Sequence, residues 1–260
     1  MIGIFDSGIG GLTVVRAIFQ RLPDYRIVYF GDTARTPYGT KSPATIMDYA
    51  LEDTEFLLSK GARLIVIACN TASSVASDFL RNRFPEIPIF EVVTPAVIKA
   101  VGLTKRKRVG IIGTRATINS GIYTQKIAER DPEITTVVNP CPLLVPLVEE
   151  GWLSCRETTM IVKKYLSPLK QQQVDTLVLG CTHYPLLREI IQIKMGKRVS
   201  VVDSSFELAT HVEDYLRETP DLEMKLEKGQ NHQFYVSDLT PAFAEIAKKF
   251  LGRPIDLMLA

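Results

Sequence analysis

Short apolar runs alternate with longer amphipathic stretches along the whole chain. The runs IGIF (2–5), IVYF (27–30), LIVIA (64–68), PIFEV (88–92), RVGIIG (108–113), TTVV (135–138), TLVLG (176–180), VSVV (199–202) and QFYVS (233–237) predict nine strands. Most of them lack the every-second-residue polarity of a half-solvated strand, so both faces of the sheet are expected to be covered. The intervening stretches carry helix signals. Ser42 and Pro43 suit an N-cap and a first helical position. Ile46, Tyr49, Ala50, Phe56 and Leu57 follow a helical period, and Gly61 closes the segment.

Repeated strand–helix alternation with apolar strands predicts an α/β protein built on parallel sheets. Nine strands are many for one small sheet, so two doubly wound, Rossmann-like lobes are expected, with the active site in the cleft between them. The arrangement drawn from the pattern places 1–95 with 210–260 in one lobe and 96–209 in the other. The charged stretch KRKR at 105–108 marks an exposed crossing, and the polar segment 220–232 precedes a last strand–helix unit.

Composition narrows the function classes. The chain has 260 residues, 46% of them hydrophobic, and 31 Lys+Arg against 29 Asp+Glu give a net charge of +2. That balance argues against a nucleic-acid binder. No apolar run is long enough for a membrane span. The chain enters IGIFDSG at once, leaving no room for a signal or transit peptide, and the expected compartment is the cytoplasm. Cys69, Cys141, Cys155 and Cys181 form no CxxC pair and no zinc spacing. The three histidines, His183, His211 and His232, are too few for a histidine-rich metal centre, so no metal is expected.

One element recurs. LIVIACNTAS (64–73) and TLVLGCTHYPLL (176–187) each run from an apolar strand through a small residue to a cysteine, then to hydroxyl or amide residues and a helix. In open parallel sheets ligands bind beyond the carboxyl ends of the strands. A cysteine there, close to a helix N-terminus, is expected to favour the thiolate. A lone cysteine at a strand end is commonly a small buried residue. Two in matched contexts, in different lobes, point instead to paired thiols flanking one cleft. Cys141 and Cys155 lack that context and are read as structural.

Other strand ends add candidates. IGIFDSGIGGL brings Asp6 and Ser7 to a strand end, with Gly8, Gly10 and Gly11 in the following turn. The spacing is not GxGxxG, so a phosphate cradle and a backbone nest for a carboxylate both stay open. Asp203 and Ser204 in VSVVDSS fit a helix cap as well as a ligand contact. GDTARTPYG (31–39) is a polar loop in which Tyr38 and Gly39 let backbone N–H groups approach a small anion; an ordinary surface turn is the plainer reading. Thr114 and Thr117 stand at a helix start, where capping would suffice to explain them. His183 lies two residues from Cys181, which suits a proton relay or a substrate-orienting role.

With DSGIGGL, GDTARTPYG, ACNTAS, GTRAT, VPLVEEG and GCTHYPLL in this order, the chain resembles the glutamate racemase family over essentially its whole length. The resemblance implies two α/β lobes and interconversion of L- and D-glutamate without a cofactor. It also implies a role in supplying D-glutamate for peptidoglycan, and a homodimer. By motif, Cys69 and Cys181 are the acid/base pair, assisted by Asp6 and His183. Asp6, Ser7, Tyr38, Gly39, Asn70, Thr71, Thr114, Thr117, Thr182 and His183 match substrate contacts. VPLVEEG resembles the segment that carries a family carboxylate, with Glu149 and Glu150 both open. Aspartate racemases of the superfamily typically carry Glu at the position of His183, which favours glutamate here. An aspartate racemase, a thiol redox protein and a two-lobed binding protein are the alternatives.

Overall fold

The computed structural model describes residues 1–260, with side chains at every position except 241 and 242. Ten strands form two sheets. The first contains β1 (Ile2–Asp6), β2 (Ile27–Gly31), β3 (Leu64–Ile67), β4 (Ile89–Glu91), β9 (Gln233–Val236) and β10 (Met258–Leu259), in the order β10-β9-β2-β1-β3-β4. The second contains β5 (Arg108–Gly113), β6 (Thr135–Pro140), β7 (Thr176–Gly180) and β8 (Ser200–Asp203), in the order β6-β5-β7-β8. Every ladder pairing is parallel.

All nine expected strands are present. The tenth, β10, has two exposed residues at the sheet edge, too short for a hydrophobic run to reveal. The chain leaves the first sheet after β4 and returns to it for β9. The helix Val93–Leu103 already packs on β7 and β8, and the helix Ser204–Glu218 packs across the helices Leu12–Arg21 and Val93–Leu103. The change of sheet thus precedes KRKR. That stretch leads from the helix Val93–Leu103 into β5, with Lys107 in the left-handed region (φ 57°) and ion-paired to Asp131.

Local signals act as read. Ser42 Oγ accepts from the Thr45 amide at 3.3 Å and caps the helix Pro43–Ser59. At its other end Gly61 (φ 88°) donates to the Leu58 carbonyl and Ala62 donates to that of Leu57, the paired bonds of a glycine-terminated helix. Asp203 Oδ1 accepts from the Ser205 amide at 3.0 Å, so the capping reading of the second Asp-Ser pair accounts for it.

Strand order creates the site. In the first sheet β2 and β3 flank β1; in the second β6 and β7 flank β5. In both, the chain first adds a strand on one side and then crosses to the other. The crevices therefore lie at the carboxyl ends of β1/β3 and β5/β7. Asp6 ends β1, Cys69 follows β3, Thr114 follows β5 and Cys181 follows β7.

Candidate active site

The four strand ends converge. Cys69 and Cys181 are each 5% exposed, and both are free thiols. The turn after β1 touches both cysteine segments. Cys69 Sγ donates to Ser7 Oγ at 3.4 Å. Thr182, next to Cys181, donates from Oγ1 to Asp6 Oδ1 at 3.4 Å. The Gly8 amide holds the other oxygen of Asp6 at 3.1 Å. The glycines of this turn serve close packing. A Cβ on Gly10 would lie 2.5 Å from both His183 Cε1 and Thr182 Oγ1, and one on Gly11 would lie 2.4 Å from Asp6 Cβ.

Cys69 caps the helix Asn70–Arg83, and its sulfur accepts from the Ala72 amide at 3.5 Å. That position was expected to favour the thiolate. Instead the thiol is pushed up to about 12. Burial is the main cause, with the Asp6 carboxylate adding to it and the Ser7 and Ala72 bonds opposing it; Cys181 raises it further. Desolvation of a buried sulfur outweighs one helix end. Asp6 is fully buried and raised by desolvation, while His183, the Gly11 and Gly8 amides and Thr182 oppose the rise.

His183 stands behind the second thiol. Its Nδ1 lies 3.8 Å from Cys181 Sγ and 3.5 Å from Thr182 Oγ1. Its Nε2 meets Glu149 Oε1 at 3.1 Å, so of the two glutamates left open it is Glu149 that reaches the histidine. Burial disfavours the imidazolium, yet the bonds to Cys181 and Glu149 prevail and raise His183 to about 10. Both partners favour the charged ring. Phe250 packs edge-on against it at 5.2 Å.

The threonines form a hydroxyl triangle across the lobes. Thr71 lies 2.9 Å from Thr114 and 3.2 Å from Thr117, and the latter two are 3.0 Å apart. Thr114 also accepts from the Thr117 amide, so it caps its helix as well. Gly39 packs on Thr114, where a Cβ would approach to 2.8 Å. Asn70 is 2% exposed; its Oδ1 accepts from Tyr123 at 2.7 Å while its amide nitrogen has no partner.

Tyr38 is brought to this corner by its backbone, but its hydroxyl points elsewhere. It donates to Asp53 Oδ2 at 2.9 Å and makes a second short contact with Asp32. Arg35 bonds both carboxylates and stacks on Tyr49. Burial and Asp32 push Asp53 well above the usual carboxylate range. This buried cluster pins the 31–39 loop against the helix Pro43–Ser59 of the same lobe. GDTARTPYG holds Asp32, Arg35 and Tyr38, but no motif signalled Asp53, which lies on a helix face that reads as ordinary amphipathic surface.

His211 packs edge-on to Phe90, and His232 donates no contact to this site. Cys141 is buried in the core and Cys155 bonds Thr158. A cavity of about 280 Å³, lined in part by Gly8, Thr36, Glu149 and Phe243, borders the histidine end of the site. Among the described residues no cluster of His, Cys, Asp and Glu is arranged to hold a metal ion, and no helix is long and apolar enough to cross a membrane.

Two buried thiols on opposite lobes, each with its own hydrogen-bonding group, can exchange protons with a carbon held between them. Comparisons with known proteins identify the chain's relatives. The model of the Asp/Glu/Hydantoin racemase family matches residues 2–212. A glutamate racemase of Geobacter metallireducens is 46% identical over 251 residues, 96% of this chain and 92% of its own length. The crystal structure of a Francisella tularensis glutamate racemase in complex with D-glutamate superposes with a TM-score of 0.90 at 38% identity, covering 100% of this chain and 95% of that one. A glutamate racemase isoform from Bacillus anthracis reaches a TM-score of 0.94 at 34% identity, covering 100% and 97%. Sequence and fold thus assign the chain to the Asp/Glu/hydantoin racemase family, among its glutamate racemases.

Proposed function

We propose that the protein interconverts L- and D-glutamate without a cofactor, using Cys69 and Cys181 as the two bases. The observation that carries this reading is the Asp6–Ser7 turn, which bonds Cys69 through Ser7 and the Cys181 segment through Asp6. It ties one thiol from each lobe to a single buried space. Likeness to glutamate racemases, one of them solved with D-glutamate, supports the substrate.

The chemistry follows from the groups present. One thiolate takes the α-proton from one face of glutamate. The thiol on the other wall gives its proton to the opposite face, and the two sulfurs leave the cycle with exchanged protonation. The carbanion between these steps needs donors already in place, which the hydroxyls and amides at the strand ends supply. On the Cys181 side the His183 ring lies beside the sulfur and Glu149 holds the ring. On the Cys69 side Ser7 and the Ala72 amide stabilise the thiolate against its burial. We assign the lobes to 1–95 with 210–260 and to 96–209. We further propose a cytoplasmic homodimer whose D-glutamate enters peptidoglycan.

The test is isotopic. In deuterium oxide, early D-glutamate formed from L-glutamate should be almost fully deuterated at the α-carbon, with little label in the remaining L-glutamate. Substantial protium in early product, where thiol exchange is slow, would indicate one base acting on both faces. Cys69→Ala and Cys181→Ala should each abolish turnover, while Cys141→Ala and Cys155→Ala should keep most of it. Faster racemisation of aspartate than of glutamate at saturation would overturn the substrate.

A further inference from the structure

We infer that Tyr123 is a positioning residue for substrate binding: it fixes the Asn70 amide so that its nitrogen donates to a carboxylate of the substrate. The inference rests on the proposed racemase reading. Tyr123 lies on the helix Ile122–Arg130 of the second lobe and is 2% exposed, whereas Asn70 opens the helix Asn70–Arg83 of the first and is equally buried.

An asparagine amide has nearly the same shape with its oxygen and nitrogen exchanged, so packing alone does not choose between the two orientations. A hydrogen-bonding neighbour chooses. The Tyr123 hydroxyl donates to Oδ1 at 2.7 Å. That leaves Nδ2, with two hydrogens, as one of four buried polar side-chain atoms among the described residues that have no partner. Buried polar groups are almost always satisfied, so this orphaned donor, one residue from Cys69, is a place where a ligand can supply the acceptor.

The surroundings specify that acceptor. Asn70 directly follows Cys69, and Thr71 beyond it joins the hydroxyl triangle with Thr114 and Thr117. Tyr123 itself is held well above its ordinary value by burial and by the nearby Glu91 and Cys181, so it remains a neutral donor throughout the working range. The Asn70–Tyr123 pair therefore links the two cysteine segments: Asn70 follows Cys69, and a Cβ on Gly180, next to Cys181, would lie 3.4 Å from the Tyr123 ring. A carboxylate oxygen there gains a charge-assisted bond from Nδ2. The reversed amide would present Oδ1 to that same carboxylate and repel it. Because the bond joins the two lobes, the donor is oriented only while the lobes are apposed as they are here.

The test compares Tyr123→Phe, Asn70→Ala and the double variant, reading kcat and KM for glutamate in both directions, with thermal melting as the check on folding. Tyr123→Phe keeps the ring and removes only the hydroxyl. It should raise KM about tenfold while kcat changes less than about threefold, the pattern of an interaction present equally in ground and transition states. In the Asn70→Ala background the same change should have almost no further effect on KM, because the group it positions is gone. A merely structural role would give additive losses instead. Unchanged KM in a folded Tyr123→Phe protein, or additive effects in the double variant, would overturn the inference. If Tyr123→Phe fails to fold, Asn70→Asp carries the test: it keeps an acceptor for Tyr123 but replaces the donor, and an unchanged KM would refute the role. Absence of glutamate turnover in the wild-type protein would refute the racemase reading itself and is thereby distinguished from failure of the Tyr123 assignment.

Discussion

Gly10→Ala tests how tightly the lobes are fitted at the second thiol. The added methyl carbon would lie 2.5 Å from His183 Cε1, 2.6 Å from its Nδ1 and 2.5 Å from Thr182 Oγ1. Ordinary non-bonded contact is about 3.5 Å or more, so one side must yield by about 1 Å. The histidine has little freedom to swing away. It is 6% exposed, bonded to Glu149 and packed against Phe250, while the Thr182 carbonyl is held by Thr13 at 3.1 Å. The Cys181–His183 segment should therefore move as a unit relative to the first lobe. A displacement of about 1 Å at reacting groups can cost about 100-fold in rate. Gly10 does not adopt a positive φ, so alanine brings no backbone penalty that would confuse the result. The assay is racemisation in both directions followed by circular dichroism, with melting measured in parallel. Gly102→Ala is the control, since a Cβ there meets nothing within 4 Å and the site lies in a helix that alanine favours by about 0.5–1 kcal/mol. A Gly10→Ala protein with normal melting and activity within about threefold of wild type would refute the close-fit argument.

The histidine–glutamate pair has a pH signature. His183 is raised to about 10 in the folded protein against an ordinary 6.5, so its contribution to stability is full below about 6.5 and fades as pH rises through about 10. Glu149→Gln removes one of the groups holding it up, so the alkaline limb of kcat/KM should move to lower pH; an unmoved limb would show that Glu149 does not tune the ring. Tyr38→Phe should cost about 2 kcal/mol in urea unfolding, because it withdraws a donor from buried Asp32 and Asp53. It should weaken glutamate binding only through the loop, and an unchanged urea midpoint would mean that Arg35 alone holds the two carboxylates.

The amino-acid order determined the class of fold and the identity of the acid/base candidates. Apolar runs such as LIVIA and TLVLG specify covered parallel strands by local composition alone, and Ser42-Pro43 with Gly61 marks both ends of a helix through backbone chemistry confined to a few residues. The cysteines were legible because their contexts repeat. What depended on distant partners was not legible. Whether Glu149 or Glu150 faces the histidine is decided by where the helix Leu144–Glu149 meets the segment after β7, a contact across 34 residues of chain. The protonation of Cys69 follows from desolvation and the nearby Asp6, and local sequence pointed the other way, toward the thiolate of a helix end. Tyr38 reads as a loop residue near an anion, yet its hydroxyl is drawn to Asp53 on a separate helix. Tyr123 carries no motif, since its effect on Asn70 exists only where two lobes meet. Secondary structure rests on short-range sterics and burial pattern, which a chain encodes within a few residues. Charge states and hydrogen-bond partners in a buried cleft depend on which surfaces exclude water together, and only the packed tertiary structure decides that.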